Sequence, residues 1–179
     1  MFSRISLFLF GVLLALGLPR TAVEAATFTH LSSHVVVLDG YIELGDCNRW
    51  KEAVGPSADT VVLNSPGGRI GQGHCISRLI AARGMKTFVQ GKCASMCFVL
   101  FAAGTTRQAC KNAKIGVHRP SDPATLQESS DPTNLQAIVE HTARYGVPRA
   151  IQERISGTPA KEMYWLNDAD LASMNVKQC

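Results

Sequence analysis

The hydrophobic positions of this chain fall into three patterns, and each predicts a different kind of element. At the amino terminus Arg4 precedes a nearly unbroken apolar run, Ile5 to Leu18, which Pro19 and Arg20 close. Val23 and Ala25 then place small residues at the −3 and −1 positions of a cleavage site before Ala26. A basic start, an apolar run too short to span a bilayer comfortably and small residues before the cut describe a secretory signal peptide. We therefore expect residues 1–25 to be removed. Residues 26–179 should form one exported domain with no stable membrane span.

The second pattern is short β-branched runs that stop at turn residues, the mark of buried strands. His34 to Leu38 is one, closed by Asp39-Gly40 and resumed over Tyr41 to Leu44. Thr60 to Asn64 is another, breaking at Ser65-Pro66-Gly67-Gly68. Lys86 to Gln90 predicts a third strand, with Gly91 opening a turn, and Ala113 to Val117 a fourth that ends at His118. The third pattern has helical spacing. Ile70, Ile76, Leu79, Ile80 and Ala82 predict an amphipathic helix over 70–82, with Gly84 just past its end. A short helix is expected over 46–54, and 95–103 is apolar enough to be a buried helix closed by Gly104. Strands alternating with helices predict an α/β domain with a parallel or mixed sheet and helices packed on it.

Beyond Arg119 the pattern changes. Residues 120–132 are rich in Pro, Ser and Asp and predict a surface loop. Helices follow over 135–145 and 148–155, interrupted at Gly146-Val147-Pro148, then a turn over 159–163 and a terminal helix over 168–174. No internal repeat and no second-domain boundary is visible.

The formal charge of +4 falls by one with the loss of Arg4, Arg20 and Glu24, and no Lys/Arg block exists. With aromatic residues at 7%, neither a phosphate-binding stripe nor a base-stacking surface is present, so no nucleic-acid partner is expected. All six cysteines, Cys47, Cys75, Cys93, Cys97, Cys110 and Cys179, lie after the expected cut. An even number in an oxidising compartment predicts disulfides, whose pairing the spacing leaves open. Cys93-x3-Cys97 lacks the usual zinc spacing and His74-Cys75 is an isolated pair, so no metal and no other cofactor is expected.

A nucleophilic serine needs a sharp turn, a neighbouring base and backbone N–H groups aimed at the developing oxyanion. Gly91 to Met96 joins a strand to a helix and puts Ser95 at the helix start, where free N–H groups favour an anion. Gly67-Gly68 follows another strand and can turn an amide toward a ligand. His118 ends the next strand, and parallel strands present ligands at their carboxyl ends. Each feature has a plainer reading: a serine that caps a helix, a histidine that is structural, a glycine pair that only turns. Their order and separation point instead to one catalytic edge.

Leu63-Asn64-Ser65-Pro66-Gly67-Gly68, Cys93-Ala94-Ser95-Met96 and Gly116-Val117-His118-Arg119-Pro120 together resemble the proteolytic subunit of Clp proteases, where the blocks read N-S-P-G-G, A-A-S-M-G and M-I-H-Q-P. The likeness covers about residues 61–120. It is narrowest to signal-peptide-bearing periplasmic relatives with a C-x-S-x-C elbow, and widens to the crotonase superfamily. It implies the ClpP/crotonase fold, a spiral of β-β-α units in a single domain whose mixed, mostly parallel sheet is flanked by helices. It further implies Ser95 as nucleophile, His118 as base, and the N–H groups of Gly68 and Met96 as the oxyanion hole. Glu162 falls nearest the position of the family's triad acid, with Asp168 and Asp170 as alternatives. Cys93 and Cys97 replace small residues and would pin the elbow if disulfide-bonded, a bond from one of them to Cys110 being one option among the pairings left open.

Clp subunits form rings fed by ATP-driven unfoldases, whereas an exported protein meets no ATP. Residues 120–145 also do not read as that family's long, apolar intersubunit helix. The expectation is an ATP-independent serine hydrolase of the periplasm or outside the cell, a peptidase acting on peptide or protein substrates without an ATPase partner. A homo-oligomer is left open. The alternatives are a catalytically inactive peptide- or protein-binding module of the cell envelope and, third, a crotonase-like acyl-thioester enzyme.

Overall fold

The computed structural model describes residues 25–122, 125 and 127–179, so the expected signal segment lies, apart from Ala25, outside the described residues. The chain runs through β1 (Thr27–His30), β2 (Val35–Asp39), α1 (Asp46–Ala53), β3 (Thr60–Ser65), α2 (Ile70–Ala82), β4 (Lys86–Ala94) and α3 (Met96–Ala102). It continues through β5 (Arg107–Ala109), β6 (Lys114–Val117), α4 (Pro132–Arg144), α5 (Arg149–Gly157), β7 (Tyr164–Trp165), α6 (Asp168–Ser173) and β8 (Lys177–Gln178). Strands β2, β3 and β4 pair in parallel, β1 lies antiparallel on β2, and β7 lies antiparallel on β6. The result is a single α/β domain with a mixed, mostly parallel sheet flanked by helices, as expected.

Strand β4 departs from the expectation of a turn at Gly91, because the strand runs on to Ala94. It has two successive neighbours on one side. Thr87 to Val89 pair with β5, and Lys92 to Ala94 pair with β6. Gly91 admits this continuation for a local reason: a Cβ there would lie 2.9 Å from Asn64 Oδ1, which instead accepts a hydrogen bond from Lys92 N. The expected strand over 41–44 is reduced to single bridges at Tyr41 and Ile42. Strands β1, β5, β7 and β8 are two to four residues long, too short for periodicity to reveal.

The core is built around α3, every residue of which is buried. A helix that is apolar all round has to be enclosed, and α3 packs against α2, α4 and the sheet. On α2, Gly73, Ile76, Ser77 and Ile80 form the buried stripe at helical spacing. Gly73 lets the two helices close up, since a Cβ there would lie 2.5 Å from Met96 Cε.

Three disulfides pair all six cysteines: Cys47–Cys75, Cys93–Cys97 and Cys110–Cys179, with Cα separations of 5.9, 5.1 and 4.9 Å. The bond from the elbow to Cys110, one of the pairings left open, is therefore not the one formed. Cys93 lies on the part of β4 that pairs with β6, and its thiol turns to the first turn of α3. Cys110 follows β5, and Cys179 follows β8, the strand paired with β5.

Between α2 and α4, His74 stacks on His141, with ring centroids 4.0 Å apart and planes within 5°. The Nε2 atoms of both are buried without a partner among the described residues. Burial, then His141, then Arg78 hold the His74 pKa down at about 4. His141 is lowered too, first by burial and then by Arg144 and Arg78, against the Ala137 backbone and Glu140. A histidine depressed on folding lends stability that is complete above the ordinary value of 6.5 and lost as pH falls toward the folded value. The melting temperature should therefore drop as pH falls from 6.5 to about 4, and His74→Phe, which keeps the stack without a charge, should flatten that drop. Parallel pH profiles for the two proteins would exclude the pair as its source.

Candidate active site

The sequence Cys93-Ala94-Ser95-Met96 changes from strand to helix within one residue. Ser95 makes the turn with φ 57° and ψ −125°, a region sparsely populated by residues with a side chain. Its N–H donates to Gly116 O at 2.9 Å, extending the β4–β6 pairing, and its carbonyl accepts from Phe98 N at 2.9 Å, opening α3. Its hydroxyl makes no capping hydrogen bond to that helix. The plain reading of Ser95 as a helix cap therefore lacks the bond that defines a cap. The residue is half-buried and lines a cavity.

Gly67 and Gly68 lie against this elbow. Gly67 has φ 104°, and a Cβ on it would stand 2.7 Å from both Ala94 O and Ser95 Cβ and 2.9 Å from Met96 N. Gly68 has φ 145°, and a Cβ on it would collide with the backbone of Ile42. The turn is held around the second glycine. Gly67 N donates to Ser65 Oγ at 3.1 Å, Ile42 N donates to Gly67 O at 2.8 Å, and Arg69 N donates to Ile42 O at 2.8 Å. Gly68 and Met96 both line the cavity.

His118 follows β6, whose parallel register places Gly116 beside Ala94. The imidazole is therefore brought to the sheet edge where Ser95 emerges, and both residues line the one cavity. Gly116 makes room for the neighbouring strand, because a Cβ there would be 2.7 Å from Met163 Sδ and Trp165. Burial pushes the His118 pKa below its ordinary value, opposed by a hydrogen bond to the Ala160 backbone. Nδ1 is buried without a partner among the described residues. The lowering favours the neutral ring, the state proton abstraction requires.

The three carboxylates considered for the acid, Glu162, Asp168 and Asp170, are elsewhere, whereas Asp122 and Asp131 line the cavity. Glu162 is exposed and does not line the cavity. Asp168 is exposed in the first turn of α6. Asp170 closes a capping box with Asn167 and accepts from Tyr164 Oη at 3.0 Å. The structure thus brings Ser95, His118, Gly68 and Met96 to one cavity and leaves Glu162, Asp168 and Asp170 off its lining. Among the described residues, no group of three or more His, Cys, Asp or Glu side chains could hold a metal.

The cavity encloses about 720 Å³. Its wall is apolar where Ile70, Phe98, Val99, Ile138 and Ile155 meet, and its mouth carries Arg69, Lys161 and Asp131. Several of these were not foreseen. Ile138 and Ile155 come from α4 and α5, and Ala160 and Lys161 from the turn after α5, distant in sequence from the motifs; an apolar residue on a helix gives no sign of facing a cavity rather than a core.

A sequence profile described as Clp protease matches residues 52–161, more than half of the chain. No curated protein matches the chain by sequence. Among solved structures, ClpP1 from Listeria monocytogenes aligns with TM-score 0.59 at 19% identity, over 81% of this chain and 91% of that one. The ClpP protease catalytic domain from Plasmodium falciparum aligns with TM-score 0.58 at 18% identity, over 79% and 80%. The 1510-N membrane-bound stomatin-specific protease, as a mutant, aligns with TM-score 0.61 at 15% identity, over 81% and 77%.

Proposed function

The chain belongs to the Clp protease family, and from that footing we propose that it is a serine hydrolase of peptide or protein substrates, with Ser95 as nucleophile and His118 as base. The observation that carries the proposal is the backbone of Ser95, held at positive φ with no side-chain cap bond, in a residue that lines the same cavity as His118. Strain of this kind persists only where the surroundings over-determine it, and it clusters at catalytic turns.

In the proposed reaction the Ser95 hydroxyl attacks a substrate carbonyl while the neutral His118 ring takes its proton. The N–H groups of Gly68 and Met96 bind the oxyanion of the tetrahedral intermediate. The imidazolium then protonates the leaving amine, and water hydrolyses the acyl-enzyme by the same route. We assign the orienting of the imidazole to the Ala160 backbone rather than to the exposed Glu162. The three disulfides, together with the signal-like amino terminus, support action in the periplasm or outside the cell, and hence without an ATP-driven partner.

A second reading, a binding module without catalysis, is favoured by the lack, among the described residues, of any hydrogen-bond partner at His118 Nδ1. One experiment separates them. The exported, disulfide-intact protein is treated with a fluorophosphonate probe and digested for mass spectrometry. The hydrolase gains one phosphonyl adduct, on Ser95, while heat-unfolded protein gains none. Folded protein that stays unlabelled identifies the binding module.

A further inference from the structure

We propose that the Cys93–Cys97 disulfide is a positioning device for the reaction, holding the Ser95 hydroxyl and the Met96 N–H in their catalytic relation. The inference rests on the hydrolase reading above and goes beyond it, because it gives the bond a part in the reaction rate.

The bond closes a covalent ring over the stretch Cys93-Ala94-Ser95-Met96-Cys97. Both groups assigned to the chemistry, nucleophile and oxyanion donor, lie inside that ring. Its ends are themselves fixed: Cys93 is paired with Ser65 of β3 on one side and Ile115 of β6 on the other, and Cys97 lies in the first turn of α3. Fully extended, the stretch would span about 13 Å, yet the two Cα atoms stand 5.1 Å apart. The chain must fold back on itself inside the ring, and the residue that turns is Ser95, at φ 57°. A bond across the turn is a direct restraint on that backbone state.

As a staple for the fold, by contrast, this bond has the least to offer of the three. In the chain-entropy picture, stabilisation rises with the length of the loop closed. The sequence separation is 4 residues here, against 28 for Cys47–Cys75 and 69 for Cys110–Cys179. Both elbow cysteines are also fully buried under the turn, so the bond does not tether a loose segment.

The test compares Cys93→Ala/Cys97→Ala with Cys110→Ala/Cys179→Ala and the unaltered protein. Each is followed by the maximal rate and half-saturating concentration of fluorophosphonate labelling, and by its melting temperature. A displaced turn lowers the maximal rate by about 10- to 100-fold with the half-saturating concentration little changed, and lowers the melting point less than loss of Cys110–Cys179 does. The Cys110→Ala/Cys179→Ala protein, while folded, labels at the unaltered rate. A folded Cys93→Ala/Cys97→Ala protein that labels normally overturns the inference, as does an equal loss of rate in both variants.

Should the elbow variant not fold, the unaltered protein is titrated with dithiothreitol. Each disulfide takes two electrons and two protons and becomes two thiols, while one dithiothreitol closes to its cyclic disulfide. Labelling should fall in step with alkylation of Cys93 and Cys97 and not with that of the other four cysteines. Labelling that survives reduction of this pair overturns the inference. Absence of labelling in the untreated protein is a different outcome, which removes the hydrolase reading itself.

Discussion

His118→Ala is expected to slow fluorophosphonate labelling of Ser95 by about 10²- to 10⁴-fold, the range a positioned base supplies. On the proposed mechanism the change removes the group that takes the hydroxyl proton and leaves Gly68 and Met96 to bind the oxyanion, so a residual rate above that of free serine should persist. The pH profile adds a signature that misfolding would not imitate. In the unaltered protein burial lowers the His118 pKa below 6.5, so the neutral base is present at neutral pH. The rate should then fall with acidification only on the acid side of pH 6.5. In the alanine variant, and in His118→Gln, which keeps much of the ring's volume, that limb should disappear. A normal rate in a folded His118 variant would remove the imidazole from the mechanism.

Gly67→Ala is expected to destabilise the domain by roughly 3 kcal/mol or more, because it combines positive-φ strain with overpacking. The added methyl has no soft neighbour to displace. It meets Ala94 O and Ser95 Cβ at 2.7 Å and Met96 N at 2.9 Å, at a residue whose φ is 104°. Any relaxation shifts the elbow of Ala94, Ser95 and Met96 relative to the glycine turn, so on the proposed mechanism labelling should be lost even where the protein still folds. Gly71→Ala, four residues on, is the control. Gly71 lies in α2 without positive φ, and its Cβ would meet nothing within 4 Å. There the same substitution removes backbone freedom from the unfolded chain and should stabilise by a few tenths to about 1 kcal/mol. Urea midpoints of the two proteins measure the contrast, and equal midpoints would show that the glycine turn is not sterically required.

Much of this fold is legible in the sequence. The helix over 70–82 is found at those bounds because its apolar residues repeat at helical spacing over more than three turns. The buried helix after Ser95 was legible for the opposite reason, having no polar face at all. Strand β4 was cut short because a glycine in a sequence reads as a turn, while here it makes room for the Asn64 side chain. The short strands β5, β7 and β8 have no pattern of their own and exist because neighbouring strands offer them hydrogen bonds.

The site divides along the same line. Ser95, His118 and the two glycines stand where strands meet turns, and residues that end parallel strands are constrained to one edge by the sheet itself. Local sequence therefore determined which side chains and amides could meet there. Tertiary structure alone decided the pairing of the six cysteines, the approach of Ala160 to the imidazole and the enclosing of the cavity by α4 and α5. Those depend on segments far apart in the chain, brought together by burial of a common core, which is non-directional and leaves no local mark.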